Sequence, residues 1–236
     1  MIFAGILAGG KGERMNNGLP KQFISVCGNP VLYYPLRQFC GIDQIGKIIV
    51  SCHRQYMDLA GKIAHVLPGS DKITVIEGGQ TRHQSLVNII DHIKQKGFSA
   101  NDKIILHEAA RPLVDADVIR EHIENLAHCE ATNTLFNAID TMMVSLDGEF
   151  IDEVPPKGNI YHGQGPQGYD LGKLIYVLEK EICDDDVISE RDLCAIYVRN
   201  KRKVKIIKGN EKLFKVTYPK DFKLLEYYLQ KEDWLI

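Results

Sequence analysis

The chain has 236 residues, 44% hydrophobic and 25% charged, with a formal net charge of −2. That length buries a substantial core and suits one α/β domain, and the balanced charge excludes the broad basic field that a nucleic-acid or anionic-membrane surface requires. The six cysteines (Cys27, Cys40, Cys52, Cys129, Cys183 and Cys194) show no CxxC spacing, and no apolar run approaches a membrane span; a zinc site, a disulfide framework, a signal peptide and a membrane anchor are not expected, and a reducing cytoplasm is.

Met1–Leu7 reads as a buried strand that stops at a glycine turn, AGGKG. Pro30–Phe39 has helical character, Lys47–Ser51 is a β-branched strand, and Arg54–His65 is helical again. Lys72–Glu77 is a third strand, closed by Gly78-Gly79. Leu86, Ile89, Ile90 and Ile93 give Gln84–Gln95 helical spacing, Lys103–Leu106 is a fourth strand, and Ala116–Ala127 a further helix. This alternation predicts an α/β, Rossmann-like, doubly wound and mostly parallel sheet. Beyond it, Asn133–Ser145 holds a strand carrying Asp140-Thr141, and Asp147-Gly148 marks a hairpin, so that roughly 138–162 forms a projecting β-arm. Leu171–Glu181 and Lys220–Gln230 read as helices and Val204–Ile207 as a late strand. No repeat or linker interrupts residues 1–236, which are taken as one domain with an arm.

Ligands in such sheets bind beyond the carboxyl ends of the strands, and three polar features fall there. Gly9, Gly10 and Gly12, entered from Leu7 and Ala8, let the backbone approach phosphate oxygens, with Lys11, Arg14 and Lys21 nearby as cations. The spacing is neither that of a P-loop nor that of a dinucleotide fingerprint, and a plain strand-to-helix turn is the competing reading. Gly78-Gly79 with Arg82 and Ser85 opens a helix whose free N–H groups suit an anion or polar ring; a simple cap by Thr81 or Ser85 is the alternative. Glu108, followed by Ala109 and Arg111, offers a carboxylate suited to Mg²⁺ beside a phosphate loop and a planar fork for phosphate; an ordinary Glu108–Arg111 salt bridge is equally compatible. Lys215, with Lys212, lies in EKLFKVTYPKD and could reach the same site from a strand's start, but taken alone an ordinary surface lysine is the favoured reading.

Taken in order, LAGGKGERM…LPKQF, GGQTRHQS, HEAARP, an Asp-Thr pair, GPQ and KVTYPKD resemble the CTP-dependent cytidylyltransferases of polyol phosphates, the methylerythritol-phosphate and ribitol-phosphate enzymes, from residue 2 to about 229. The resemblance implies a homodimer joined through the arm and transfer of CMP from CTP to a polyol phosphate with Mg²⁺, pyrophosphate leaving. It implies that the glycine loop, Arg14 and Lys21 hold the triphosphate, that Gly78, Gly79, Ser85 and Ala109 receive the cytidine, and that Glu108 sits at the metal. Arg111, Thr141, Lys157, Gln164 and Arg191 would face the acceptor, Lys157 reaching across the dimer, and Lys215 would stabilise the α-phosphate.

The chain departs from the family pattern at His107-Glu108, where Asp follows His in the family. It departs again at Lys157 for arginine, at Gly165 in GPQ for threonine, at Arg191-Asp192 for Thr-Asp, and at Lys212 where the methylerythritol enzymes carry a carboxylate. These changes lie on the acceptor side, so ribitol 5-phosphate or a related alditol or sugar phosphate for a surface glycan is the preferred acceptor, with 2-C-methyl-D-erythritol 4-phosphate as the alternative. Three other readings compete: a sugar-1-phosphate nucleotidyltransferase, a non-catalytic nucleotide-binding homologue, and a dinucleotide oxidoreductase, the last lacking GxGxxG.

Overall fold

The computed structural model describes residues 1–10, 18–181 and 192–231. A seven-stranded sheet organises them in the order β5-β4-β1-β6-β8-β7-β9. Here β1 is Ile2–Ala8, β4 Ile45–Cys52, β5 Ile73–Glu77 and β6 Lys103–Glu108. β7 is Ala131–Asn137, β8 Tyr161–Asp170 and β9 Lys205–Lys208. A separate two-stranded ribbon pairs β2 (Ser25–Val26) with β3 (Asn29–Pro30). β1, β4, β5 and β6 run parallel; β8 runs antiparallel to both β6 and β7, and β9 is parallel to β7. The sheet is therefore mostly parallel, as its βα alternation predicts.

Side chains alternate along each strand and send apolar groups to both faces. Ala4, Ile6 and Ala8 of β1 enter a cluster with α1 (Tyr33–Cys40), α2 (Met57–His65) and α4 (Ala116–Asn125). Phe3 turns to the other face, against Leu86, Ile89 and Ile93 of α3 (Arg82–Lys96). α5 (Leu171–Glu181) and α6 (Leu193–Arg199) complete that second layer through Leu174, Leu178, Leu193 and Ile196. The closing helix α7 (Pro219–Lys231) docks Leu225 and Leu229 against Val31 and Tyr34. Cys27, Cys40, Cys52, Cys129 and Cys194 are unpaired thiols, Cys183 lies outside the described residues, and no described helix is long and apolar enough to cross a membrane.

Two expected elements differ from what forms. The strand expected across 133–145 ends at Asn137, because β7 loses its partner there, and Asp140-Thr141 sit beyond it in the arm. The arm itself carries a single isolated bridge, Val144 to Glu153, with the Asp147 carboxylate accepting from the Glu149 (2.8 Å) and Phe150 (3.0 Å) amides at its tip. β8, conversely, has no apolar alternation to announce it: its sequence is YHGQGPQGYD. Of its three glycines, Gly168 answers to packing. A Cβ on Gly168 would meet Thr132 Oγ1 at 2.4 Å and Leu126 Cδ1 at 2.9 Å, so only glycine lets α4 settle on β8.

A buried polar knot ties these elements. His122 of α4 has no solvent exposure and places its ring nitrogens 2.7 Å from Thr132 Oγ1 and Thr134 Oγ1 of β7. A neutral ring carries one N–H, so one threonine receives a proton and the other supplies one. Burial, with His107 nearby, pushes the His122 pKa down to about 3. Burial likewise pushes His107, on β6, down to about 4, against the opposing effect of its 2.8 Å contact with the Arg111 carbonyl. Both folded-state values lie below the unfolded one, so unfolding takes up protons in acid. Their stabilisation is complete above about pH 6.5 and declines as pH falls towards 4, each histidine contributing about 1.4 kcal/mol per pH unit in that window. Denaturant melts between pH 7 and 4.5 should show this slope, and His122→Leu should roughly halve it.

Candidate active site

The chain runs from β1 outward to β4 and β5, then returns to the opposite side of β1 as β6. The strand ends on either side of β1 therefore diverge, and such a switch point leaves a crevice at the carboxyl edge. A cleft of about 610 Å³ opens there, within the range of small-molecule sites. Leu7, Ala8, Gly9 and Gly10 form one wall, as expected of the first glycine loop. Lys11, Gly12 and Arg14 of that loop lie outside the described residues, as does Arg191.

The opposite wall is the start of α3. Thr81 caps this helix, its Oγ1 accepting from the Gln84 amide at 3.0 Å. Ser85 Oγ accepts from the Gly79 amide (3.1 Å) and donates to the Thr81 carbonyl (2.9 Å), so the serine stitches the loop to its own helix. Gly79 and Ser85 line the cleft with Gln80, Thr81 and Arg82. Gly78 lies behind them, its amide bonded to the Cys52 carbonyl at 2.7 Å. At Gly79 a Cβ would fall 2.2 Å from Gln84 Cβ and 2.7 Å from the Gln84 carbonyl carbon, so the turn tolerates glycine alone.

The floor carries the charge. Glu108, at the end of β6, is the one acidic side chain among the described cleft residues. Its carboxylate stands 3.0 Å from Lys215 Nζ, 3.4 Å from Arg82 Nε and 3.4 Å from Arg111 Nε. Burial pushes the Glu108 pKa upward, but Lys215, Arg111 and Arg82 outweigh it and hold it at about 2. The group is ionised at any physiological pH. Lys21, from the 3₁₀ turn Lys21–Phe23, enters the cleft beside the glycine loop, and Ala109 lines it next to Glu108. Lys21, Arg82 and Lys215 thus converge with two backbone loops on one space, a set suited to a polyphosphate.

No group of three or more acidic, histidine or cysteine side chains among the described residues forms a metal cage. One ionised carboxylate on a cleft built for phosphates does fit Mg²⁺, which takes one or two carboxylates and completes its shell with phosphate oxygens and water.

The acceptor-side candidates are arranged differently. Arg111 donates from Nη1 to the Leu213 carbonyl (2.8 Å) and from Nη2 to the Gly163 carbonyl (3.2 Å). Its fork therefore braces β8 and the segment before Lys215, and it is absent from the cleft lining. Gln164 is buried, donating to the Asn210 carbonyl at 2.6 Å. Thr141 and Lys157 are exposed on the arm, away from the cleft of their own chain. The cleft also contains side chains that the sequence reading passes over: Gln22, His53 and Thr217. Gln22 and Thr217 adjoin motif lysines and were within sight, whereas nothing in KIIVSCH marks His53.

The model of the family described as 2-C-methyl-D-erythritol 4-phosphate cytidylyltransferase matches residues 2–231. The fold is similar to that of 4-diphosphocytidyl-2C-methyl-D-erythritol synthase from Anaerococcus prevotii, at TM-score 0.84 and 23% identity, covering 98% of this chain and 99% of that one. It is similar also to 2-C-methyl-D-erythritol 4-phosphate cytidylyltransferase from Francisella tularensis, at TM-score 0.79 and 23% identity, covering 96% and 98%. The enzyme from Thermus thermophilus matches at TM-score 0.74 and 21% identity, covering 98% and 100%. At these identities the structures speak for the fold; the family model, spanning nearly every residue, goes further. Because that model matches residues 2–231, the chain belongs to the 2-C-methyl-D-erythritol 4-phosphate cytidylyltransferase family of nucleotidyltransferases.

Proposed function

We propose that the chain transfers CMP from CTP to 2-C-methyl-D-erythritol 4-phosphate, giving the CDP-polyol and pyrophosphate. The observation that carries this reading is the family match over residues 2–231, joined to a cleft with the parts the reaction needs. It supports methylerythritol phosphate over ribitol 5-phosphate, the acceptor preferred from the sequence alone. The ribitol reading keeps one specific basis: the acceptor-side substitutions at Lys157, Gly165, Arg191 and Lys212.

In the proposed reaction an oxygen of the acceptor phosphate attacks the α-phosphorus of CTP in line. A new P–O bond forms as the bond to the bridging α–β oxygen breaks, and that electron pair leaves with pyrophosphate. No covalent intermediate with the protein is required, so the side chains position groups and offset charge. The Gly79–Ser85 turn would receive the cytidine, and the Gly9-Gly10 backbone with Lys21 the triphosphate. Lys215 would meet the negative charge that grows on the α-phosphoryl oxygens. Glu108 would hold Mg²⁺ together with phosphate oxygens, the metal supplying further charge neutralisation when bound. Arg82, released from Glu108 by an arriving anion, would turn to phosphate.

The arm would complete the site from a second copy of the chain. Leu146, Phe150 and Ile151 are 86%, 72% and 61% exposed, an apolar cost that a partner would relieve. Lys157 would then face the partner's cleft and bind the acceptor phosphate as a point charge, without the bidentate fork of arginine.

Coupled pyrophosphate release over a panel of acceptors tests the substrate: kcat/KM should be highest for methylerythritol phosphate, preference for ribitol 5-phosphate selects the second reading, and no release with any acceptor points to a non-catalytic homologue. Lys215→Ala should lower kcat by roughly 10²–10³-fold, and Gly79→Ala should raise KM for CTP at least about tenfold. Sedimentation should give a dimer for the unaltered chain and a monomer for the Leu146→Glu, Phe150→Glu double variant, with acceptor turnover lost alongside.

A further inference from the structure

Gln22 sits between Lys21 and Phe23 in one 3₁₀ turn, lines the same cleft as its lysine neighbour, and is only 2% exposed. Its side-chain amide donates to the Ala8 carbonyl at 2.6 Å and to the Gly10 carbonyl at 2.9 Å. Only an NH₂ group can serve two acceptors in this way, so the orientation of the amide is unambiguous. The two carbonyls flank Gly9, where the chain leaves β1 and enters the cleft wall.

We propose that Gln22 is a positioning residue for nucleotide binding, an amide clamp that sets the direction of the Ala8 and Gly10 carbonyls, and with the first of them the Gly9 N–H, and the placement of Lys21 through a single side chain. In a trans peptide the C=O and N–H point in opposite directions. Drawing the Ala8 carbonyl inward to Gln22 therefore turns the Gly9 N–H outward, away from the clamp. A glycine run left to itself has no such preference; a phosphate-binding backbone needs one before the ligand arrives.

The clamp is anchored from behind. The Gln22 carbonyl accepts from the Leu32 amide at 2.8 Å, the Ile24 carbonyl accepts from the Val31 amide at 3.0 Å, and Phe23 is buried in the core beneath. The 3₁₀ turn thus has its position fixed by Val31 and Leu32, between β3 and α1, and Gln22 transmits that position to the loop at the end of β1. Lys21, one residue back on the same turn, is carried to the same cleft. The glycine loop and its lysine belong to different elements but share one support.

This inference rests on the triphosphate reading of the cleft, and the experiment separates the two. Calorimetry with CTP on the unaltered full chain comes first: absence of binding overturns that reading and the clamp with it. Given binding, Gln22→Met, close in volume but without donors, should weaken CTP affinity and raise KM for CTP by roughly tenfold or more, with KM for the polyol phosphate changed less than about twofold. Gln22→Glu, which sets an anion against both carbonyls, should be the more damaging change. In the Lys21→Ala background Gln22→Met should have a smaller effect than in the unaltered chain, because the lysine it would misplace is gone. A lower melting temperature with both substrates' KM and kcat unmoved, or with both KM values moved equally, would overturn the clamp. Should Gln22→Met fail to fold, Gln22→Asn, which keeps the amide one methylene too short to span both carbonyls, is read against the same outcomes.

Discussion

Lys215, Arg82 and Arg111 approach one point in a partly buried cleft, and like charges so placed repel strongly where water is scarce. Glu108 is the anion between them. Each cation comes from a different stretch of chain: Arg82 from the first turn of α3, Arg111 from just after β6, Lys215 from the segment before α7. Their convergence on a single carboxylate closes that segment over the sheet edge, helped by the Val216 amide bonding to the Ala110 carbonyl at 2.8 Å. The resting cleft is therefore an ion cluster with a surplus of positive charge, already shaped for a polyanion.

Such a cluster costs desolvation when it forms and is sensitive to the loss of any one member. It also makes the floor of the cleft exchangeable, because an incoming phosphate can take over cations that Glu108 holds in its absence. The longer glutamate side chain, where the family pattern has aspartate, reaches all three cations from the end of β6. Arg111 has a second duty in the same arrangement: its two backbone bonds join β8 to the Leu213 segment. A residue read from sequence as a phosphate clamp serves here as the brace that carries Lys215.

The parallel half of the sheet and the turn at Gly79 were legible because their signals are local. Gly79 marks a turn no other residue can make, Thr81 and Ser85 sit where helix caps sit, and β1, β4, β5 and β6 are short apolar runs punctuated by glycine or charge. The remainder was hidden for a physical reason in each case. β8 is rich in glycine and glutamine, with Gly168 required where α4 presses on it and Gln164 and Gln167 tied to Asn210 and Asp192, so it lacks the alternation that betrays a strand. Gln22 belongs to a tertiary clamp whose partners are backbone atoms with no sequence signature. The strand expected over Asp140-Thr141 stops at Asn137 because pairing with β8 ends there, which a local stretch of sequence cannot reveal.

The antiparallel placement of β8 has a bearing on how this fold changes over time. β7 and β8 are sheet neighbours, and the arm is the loop that joins them. Lengthening or rebuilding a loop between adjacent antiparallel strands has an entropic cost that grows only slowly with length, and it disturbs no helix packing. The turn at Gly78-Gly79 enjoys no such freedom, being pinned between β5 and the helix α3 that follows. Residues 138–160 can therefore be rebuilt while the parallel strands and the cleft at their ends stay as they were, which makes the arm the part of this fold most open to change.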